Sequence, residues 1–517
     1  MNSDHPFLHF LEKESRNYWL TRFIILRWLG FIYAVAFLCA AKQIVPLVGE
    51  HGLLPLGLYF DAVEHYARSR GAAFAELPSL FWFGHSDAAL VMWAWIGFAL
   101  GVVVMCGFAN ALIMSALWAL YMSFIHIGQE WYGYGWETQL LETGFLAIFL
   151  SPLLDVRPLP RHRPPVIVIW LYRWLGFRIM LGAGLIKIRG DACWRDLTCL
   201  SFHYLTQPIP NPLSRALHHM PLWFHKFGVL WNHFVELIVP WFSFGPRTAR
   251  HIAGALMISF QFILILSGNL SFLNWLTIVP FLTCLDDTLL ARFVPRAFAA
   301  RIERARESAI PPGPGVTIAV LCLALMVAFL SLDPIANLFS SRQAMNASFN
   351  PLHLVNTYGA FGSVGRERGE IIFEGTSDTV LTDRTEWREY DFPAKPGDPR
   401  RAPRIIAPYQ PRLDWAIWFA AMSTPNHYPW TVHLVWKLLH NDPGVLSLLA
   451  TNPFPNEPPR YIRARYYRYE FALPNDPSGL YWKRTLFGDW LPPLSIDDPK
   501  LRAFLVAHRW LPLEDFR

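Results

Sequence analysis

The chain has 517 residues, of which 53% are hydrophobic and only 16% are charged. Soluble globular domains usually carry about 25% charged residues, so this composition excludes an ordinary water-soluble enzyme and indicates a membrane protein. The net charge of +6 does not indicate nucleic-acid binding, because basic residues at the ends of apolar segments are typical of cytoplasmic membrane loops. The length allows a second domain, since one core seldom grows beyond about 250–300 residues.

Long apolar runs follow the N-terminus, and a transmembrane helix needs about 20 mostly apolar residues. Residues 88–125 contain no Asp, Glu, Lys or Arg, which predicts two helices with a turn near Gly107–Asn110. Residues 252–285 predict two more helices around Ser267–Asn269, and residues 308–332 predict one. Single helices that carry a charge inside or at one end are predicted over residues 23–43, 138–154, 165–187 and 228–245. The sum is nine crossings in a membrane domain of residues 23–340.

The loop charges predict the orientation of these helices, because Lys and Arg accumulate on the cytoplasmic side of a membrane. Residues 155–165, 245–250 and 291–306 are basic and fall on one side if nine helices alternate. The acidic loop 44–87 falls on the other side. Residues 1–22 lack the apolar core of a removable signal peptide, so we expect a cytoplasmic N-terminal segment and a lumenal or periplasmic C-terminus.

The chain changes character after about residue 340, where no run is long enough to span a membrane. We expect a water-facing α+β domain over residues 341–517. EIIFEG and YIRARYYRYEFAL are typical of strands, whereas WTVHLVWKLLH and DPGVLSLLA are typical of helices. The predicted fold class is thus a polytopic α-helical membrane protein of about nine transmembrane helices followed by an α+β domain.

Ionisable side chains occur in and beside the predicted membrane segments, where each costs about 2.5–3.5 kcal/mol or more. Such groups normally face a bundle interior or a wet cavity, so we expect a polar cluster within the membrane. Two interpretations stay open: the charges pair to fix helix packing or reach the interface, or they line a functional cavity. The residues concerned are Glu137, Glu142, Arg173, Arg178, Lys187, Arg189, Asp191 and Glu236.

Four of the six cysteines lie in apolar segments, where a thiol is simply a small buried hydrophobe. Cys193 and Cys199 lie instead on the predicted oxidising side, where a structural disulfide is favoured over a catalytic pair and two free thiols stay an alternative. They form no C-x-x-C redox motif. Zinc would need about four ligands at a recognisable spacing, and the sequence predicts no metal site and no cofactor.

Three further patterns are weaker. Histidines are frequent over residues 203–233, but their spacing forms no ligand pair, which favours an interfacial position beside neighbouring tryptophans. GHSDA at 84–88 departs from the hydrolase motif G-x-S-x-G and precedes an apolar helix, so we do not expect Ser86 to be a nucleophile. Asn346-Ala-Ser348 is a glycosylation sequon on the predicted lumenal side.

Several sequence blocks are long and distinctive, among them WETQLLETGFLAIFL, FRIMLGAGLIKIRGDACWRDLTCLSFHYLTQPIPNP, SGNLSFLNWLTIVP, NTYGAFGSV, RLDWAIWFAA and YRYEF. From about Tyr18 to past Glu470 the chain resembles the lipase maturation factors. The resemblance implies a multi-pass protein of the endoplasmic reticulum membrane that helps secreted dimeric lipases fold and assemble. Its partners would be lipase clients and membrane lipids, with residues 341–517 and the Cys193–Cys199 loop facing the client. A bacterial source would place the protein in the inner membrane instead.

A more distant resemblance implies an alternative of another class. AGLIKIRGDACW is similar to the segment of the vitamin K-dependent carboxylase membrane domain that holds its catalytic lysine, and Lys187 matches that lysine. The alternative is an intramembrane enzyme in which Lys187 acts as a general base on a lipid or quinone. The carboxylase pattern has Asn-His where this chain has Trp136-Glu137-Thr138-Gln139, and a Glu cannot replace that His. A shared scaffold without catalysis is therefore the preferred interpretation.

Overall fold

Apolar side chains dominate the first two-thirds of the chain, and this part is almost entirely helical. A computed structural model describes residues 14–512, so residues 1–13 of the predicted segment 1–22 and residues 513–517 of the predicted domain 341–517 lie outside the described residues. The longer helices of the helical part are α1 (Trp19–Val48), α2 (Asp87–Met105), α3 (Ala111–Ile127), α4 (Gly135–Leu150), α5 (Val166–Arg189), α6 (Leu222–His233), α7 (Arg247–Ser267), α8 (Leu273–Leu282) and α9 (Pro314–Leu330).

Short helices and turns connect the longer helices. They span Leu56–Ala67, Arg70–Glu76, Ala192–Arg195, Leu200–Thr206, Ser214–His218, Asp287–Leu290, Arg296–Glu307 and Leu332–Phe339, with 3-10 turns at Leu80–Phe83 and Gln129–Tyr132. The predicted turn between α2 and α3 is confirmed: Gly107 has a φ of +114°, which favours glycine, and the Asn110 side chain accepts the amide hydrogen of Ile113 at 2.9 Å. The apolar run 252–285 likewise divides after Ser267.

Five helices among residues 14–512 are long and apolar enough to cross a bilayer. They are Trp19–Val48, Asp87–Met105, Val166–Arg189, Arg247–Ser267 and Pro314–Phe339. The prediction of nine crossings is not confirmed, because α3 and α4 have 17 and 16 residues and α8 has only 10. At 1.5 Å per residue, helices of this length fall short of the roughly 30 Å hydrocarbon core of a bilayer.

The predicted crossing over residues 228–245 is not a single α-helix, which corrects the prediction. Helix α6 ends at His233, and a π turn (Phe234–Ile238) and a 3-10 turn (Val239–Phe244) continue it. Pro240 has no amide hydrogen and cannot extend the α-helical ladder. The π turn also contains Glu236, and the spacing of apolar residues in a regular α-helix would not have predicted where this charged side chain lies.

The C-terminal part contains one four-stranded antiparallel sheet of order β2-β1-β3-β4. Its strands are β1 (Arg368–Thr376), β2 (Arg388–Glu389), β3 (Tyr461–Phe471) and β4 (Trp482–Leu494), and its helices are α10 (Arg412–Ala420), α11 (Trp430–Leu439), Pro443–Leu446 and α12 (Pro499–Ala507). The strand predictions for EIIFEG and YIRARYYRYEFAL and the helix prediction for WTVHLVWKLLH are confirmed. DPGVLSLLA forms only a short helix, and the edge strand β4 was not predicted.

The helical and C-terminal parts share one continuous hydrophobic core. Leu29, Phe37 and Tyr121 of the helical part belong to the same buried cluster as Ile371 and Trp430 of the C-terminal part. Burial of apolar surface contributes about 25 cal/mol per Å², so a shared core holds the two parts together as one unit. The sheet therefore packs directly against the helical part and is not joined to it by a flexible linker alone.

Candidate functional site

The predicted polar cluster divides into separate networks, three of which are built around a buried carboxylate. The carboxylates belong to Glu236, Glu142 and Glu137, and each lies on the helical part. A buried charge is tolerated only when it is paired and hydrogen-bonded, so each carboxylate identifies a specific cationic partner.

Glu236 pairs with Lys187 near the end of α5. The Lys187 Nζ lies 2.5 Å from the Glu236 Oε1 and donates to the Asn232 Oδ1 at 2.9 Å, while the Asn232 amide donates to the Glu236 Oε2 at 2.8 Å. The same nitrogen lies 5.1 Å from the centre of the Trp194 ring. The ammonium is thus engaged by a carboxylate, an amide oxygen and a ring face. This arrangement does not favour Lys187 as a general base.

Glu142 pairs with Arg178 and connects α4 and α5 to the C-terminal part. The Tyr358 hydroxyl donates to the Glu142 Oε2 at 2.6 Å, and the Asn356 backbone N–H donates to the same oxygen at 3.1 Å. The Arg178 Nη1 in turn donates to the Asn356 carbonyl at 2.6 Å. Both charged side chains are buried, so the block NTYGAFGSV passes directly over a buried ion pair.

Glu137 pairs with Arg412, a residue of the C-terminal part that the sequence analysis did not single out. The Arg412 Nη1 lies 2.9 Å from the Glu137 Oε1, and its guanidinium carbon lies 3.4 Å from the centre of the Tyr132 ring. The hydroxyl of Tyr121 and the indole N–H of Trp136 donate to the same carboxylate. The sequence signal was an arginine in the first turn of the mostly apolar helix RLDWAIWFAA.

A fourth buried network, also missed from the sequence, joins β1 to the loop before α6. Arg368 lies 2.6 Å from Glu370 and donates to the carbonyls of Leu205 and Gln207 at 2.9 and 2.5 Å. The other oxygen of Glu370 lies 3.0 Å from the Lys395 Nζ. Several independent polar contacts therefore fix the C-terminal part to the helices.

The remaining predicted residues lie outside these networks. Arg173 donates to the Thr283 carbonyl at 3.1 Å and to the Tyr18 hydroxyl at 2.6 Å, and Arg189 donates to the Gln343 side chain at 2.7 Å. Asp191 accepts the Cys193 amide hydrogen at 3.0 Å and pairs with Arg366 at 3.0 Å. The hydrogen bond from the Cys193 backbone holds the pKa of Asp191 below its usual value.

Cys193 and Cys199 form a disulfide, as predicted. Both cysteines are buried against Val364, and the indole N–H of Trp194 donates to the Phe361 carbonyl at 2.8 Å. The bridge therefore lies beneath residues 361–366 rather than at an open surface.

The weaker candidates take structural positions. Ser86 is the N-cap residue of α2, and its hydroxyl accepts the amide hydrogen of Ala89 at 3.3 Å. His233 contacts the Trp194 carbonyl at 3.0 Å, and no group of three or more His, Cys, Asp or Glu residues suited to a metal occurs among residues 14–512. Asn346 is exposed, and its side-chain oxygen accepts the Gly359 amide hydrogen at 3.2 Å.

Two acidic residues that were not predicted from the sequence connect helices at the end of the helical part that lies away from the C-terminal part. Asp286 lies 3.0 Å from Arg250 and 3.0 Å from Arg247, both at the start of α7. Asp287 accepts the amide hydrogen of Leu20 at the start of α1 at 2.9 Å and pairs with Arg306 at 2.9 Å. These contacts gather two of the three predicted basic segments, residues 245–250 and 291–306, at one end of the helical part.

Comparison with known proteins also separates the helical part from the C-terminal part. A family model described as the lipase maturation factor transmembrane domain matches residues 20–292, and one described as the lipase maturation factor C-terminal domain matches residues 354–492. Lipase maturation factor 1 of Bos taurus is 48% identical over 520 residues, which cover 96% of this chain and 92% of that protein. The same factor of Mus musculus is 48% identical over 521 residues, which cover 96% of this chain and 90% of that protein.

A more distant relative matches over a similar share of the chain. Lipase maturation factor 2 of Xenopus laevis is 29% identical over 609 residues, which cover 95% of this chain and 84% of that protein. No solved structure matches the chain. The two family models and the relatives at 48% identity confirm the resemblance read from the sequence blocks, and the chain belongs to the lipase maturation factor family.

Proposed function

We propose that the protein is a membrane-embedded maturation factor that assists the folding and assembly of secreted lipases. The observation that carries this proposal is the 48% identity to lipase maturation factor 1 of Bos taurus across 96% of the chain, through both the helical and the C-terminal parts. The clients are secreted lipases as a class. The ion pair between Lys187 and Glu236 speaks against the alternative of a lysine-based membrane enzyme.

The direction of the helices supports an orientation in which the C-terminal part lies across the membrane from the N-terminus. At one end of the bundle Asp287, after α8, binds Leu20 at the start of α1, and the Pro152 carbonyl, after α4, accepts the Ala111 amide hydrogen at the start of α3 at 2.8 Å. At the other end Asn269, after α7, donates to the C-terminal part at 2.8 Å. The chain thus passes back and forth between the two ends of the helical part, which supports an odd number of passes.

We place the basic end in the cytoplasm, because Lys and Arg accumulate there. The C-terminal part then faces the lumen of the endoplasmic reticulum, or the periplasm in a bacterium. An odd number of crossings leaves the termini on opposite sides of the membrane. On this proposal residues 1–22 are cytoplasmic, residues 23–340 form the membrane domain and residues 341–517 form the lumenal domain.

The buried networks suit a rigid platform for a client. A buried charge whose partner is removed is strongly unfavourable, so Arg412, Arg368 and Tyr358 hold the C-terminal part in one orientation on the helices. A domain held this way presents the same surface to each client molecule at a fixed height above the membrane.

The proposal is tested by secreted lipase activity. The full chain is expressed, together with a dimeric secreted lipase, in cells that lack their own lipase maturation factor. We expect the ratio of lipase activity to secreted lipase mass to rise several-fold over cells without the chain. An unchanged ratio, with the chain present in the membrane fraction, overturns the proposal.

The orientation is tested with Asn346, which we propose as a glycosylation acceptor on the lumenal side. Expressed in eukaryotic cells, the wild type should lose mass on endoglycosidase treatment, whereas Asn346→Gln should not change. A tag behind Arg517 gives an independent measurement, and its accessibility from the cytosol of intact cells would overturn the orientation.

A further inference from the structure

Five arginines at the end of the helical part where α1 begins form an exposed surface, which we call the basic surface. The side chain of each is open to solvent, and none of the five forms an ion pair with a carboxylate among residues 14–512. The five residues are Arg161, Arg292, Arg296, Arg301 and Arg304. These positive charges are therefore available to a partner.

Two distant segments of the chain build the basic surface. One is the loop before α5, and the other is the helix Arg296–Glu307, which we call the basic helix, with the turn before it. The Arg161 carbonyl accepts the amide hydrogen of Ile310, which follows the basic helix, at 2.9 Å. Leu159 of the loop and Phe298 of the basic helix pack against the same buried hydrophobic cluster. The two segments are thus held together in the folded protein.

Few acidic side chains offset the charge of the basic surface. In the segments 155–165 and 291–307, the Asp155 carboxylate binds Arg157 at 2.7 Å and the Glu303 carboxylate binds Arg306 at 2.9 Å. Glu307 is the remaining acidic residue of these two segments, and it is exposed. The unpaired side chains therefore carry a clear excess of positive charge, to which an anionic partner is complementary.

The packing of the basic helix places the surface at the depth of lipid headgroups. Helix α1 has 30 residues and is about 45 Å long, so its ends extend beyond the roughly 30 Å hydrocarbon core of a bilayer. The ring centres of Phe298 and Phe23 are 4.9 Å apart, and Ile302 is buried in one cluster with Trp19. The basic helix therefore packs with its apolar side on the first turns of α1, and its arginines stay exposed.

We propose that the basic surface binds the phosphate-bearing headgroups of anionic phospholipids in the adjoining leaflet. A guanidinium matches phosphate oxygens in a fork geometry, and each basic residue near an anionic membrane surface strengthens binding about fivefold. Phe293 is 78% exposed beside Arg292 and supplies an apolar side chain for the boundary between headgroups and acyl chains. The partner is a lipid layer because α9, an apolar helix long enough to enter the bilayer, begins at Pro314, shortly after the basic helix.

The first test counts the lipids that the purified full chain retains from nanodiscs made of equal amounts of phosphatidylserine and phosphatidylcholine. Native mass spectrometry gives the ratio of the two retained lipids. The test variant carries Arg296→Gln, Arg301→Gln and Arg304→Gln together. The matched control removes three exposed arginines of the C-terminal part, with Arg384→Gln, Arg400→Gln and Arg460→Gln.

We expect the ratio of phosphatidylserine to phosphatidylcholine to fall about tenfold in the test variant and to stay unchanged in the control. An equal ratio in the wild type and in the test variant overturns the proposal. An equal fall in both variants also overturns it, because the preference would then follow the net charge of the protein and not the basic surface.

A second test needs no substitution and so does not depend on the folding of a variant. Amide hydrogen exchange of residues 291–306 is measured for the wild type in nanodiscs of phosphatidylcholine alone and in nanodiscs that also contain phosphatidylserine. We expect exchange to be several-fold slower with phosphatidylserine, and the difference to disappear at about 1 M salt, which screens exposed charges. A surface that serves a soluble anionic partner would show equal exchange in both nanodiscs, which overturns the proposal. No lipase is present in either test, so their failure would leave the maturation function unaffected.

Discussion

Arg412 and Glu137 form a fully buried ion pair across the junction between the C-terminal part and the helical part, with 2.9 Å between the Arg412 Nη1 and the Glu137 Oε1. The two residues are 275 positions apart in the chain. Removing one partner of a buried pair leaves the other charge without compensation. The junction is thus sensitive to a single substitution on either side.

Replacing Arg412 by methionine should destabilise the protein by about 3–5 kcal/mol, because Glu137 would stay buried without a cation. We expect a lower midpoint of thermal unfolding in detergent and easier proteolysis between the two parts. Arg384→Met is the control, since that arginine is exposed. Adding Glu137→Gln to Arg412→Met should recover part of the loss; a double variant no better than the single one would contradict the pair as the cause.

Lys187→Met should also lower stability and lipase maturation, because it leaves Glu236 unpaired. The double variant Lys187→Met with Glu236→Met removes both charges and should regain most of the stability and of the maturation activity. Thermal unfolding and the activity of the secreted lipase measure the two effects. An essential lysine base predicts the opposite result for activity, which would stay about 10²-fold or more below the wild type in the double variant.

The disulfide should protect two of the six cysteines from alkylation. Denatured without reductant, the chain should react at Cys39, Cys106, Cys284 and Cys322, and at all six positions after reduction. Mass spectrometry counts the alkylated thiols, and six reacted thiols without reductant would contradict the bridge. Replacing Cys193 and Cys199 by serine should cost about 2 kcal/mol, as expected for a short closed loop. Cys106→Ser removes an exposed free thiol and serves as the control.

Asp414 should make stability depend on pH. Burial raises the pKa of the Asp414 carboxyl to about 6, above its value of about 3.9 in an unfolded chain. Its Oδ1 accepts the amide hydrogens of Ala394 and Lys395, but its Oδ2 is buried and has no hydrogen-bond partner among residues 14–512. Because the folded state holds the proton more tightly, this contribution to stability is full below pH 4 and is lost as the pH rises through about 6.

The measurement compares the wild type with Asp414→Asn, which keeps the accepting oxygen and cannot ionise. On lowering the pH from 7 to 4, the wild type should gain about 2 kcal/mol of unfolding free energy relative to the variant, since one pKa unit corresponds to about 1.4 kcal/mol. Asp383→Asn is the control, because Asp383 is exposed. Parallel curves for the wild type and Asp414→Asn would contradict this role.

The sequence predicted helices, strands and turns well where a regular spacing of apolar residues, or a residue that interrupts a helix, determined them. The turn at Gly107–Asn110, strand β1 and helix α11 follow from such patterns. Strand β4 was not predicted, because its prolines and exposed residues interrupt the alternation of apolar and polar side chains that is typical of a strand. Helix α8 is shorter than its apolar run suggested. Composition measures hydrophobicity, whereas helix length depends on where tertiary contacts end each helix.

By itself the sequence determined that hydrocarbon is the solvent for the first two-thirds of the chain, that Cys193 and Cys199 are the pair suited to a disulfide, and that the chain resembles one family. Only the tertiary structure decided which charges pair. Glu137 binds Arg412, and Glu142 binds Arg178 beneath Tyr358, although distant segments supply these partners. A charge at membrane depth must be compensated, which the sequence reveals, but the compensating group can come from any segment that the fold brings within a few ångströms.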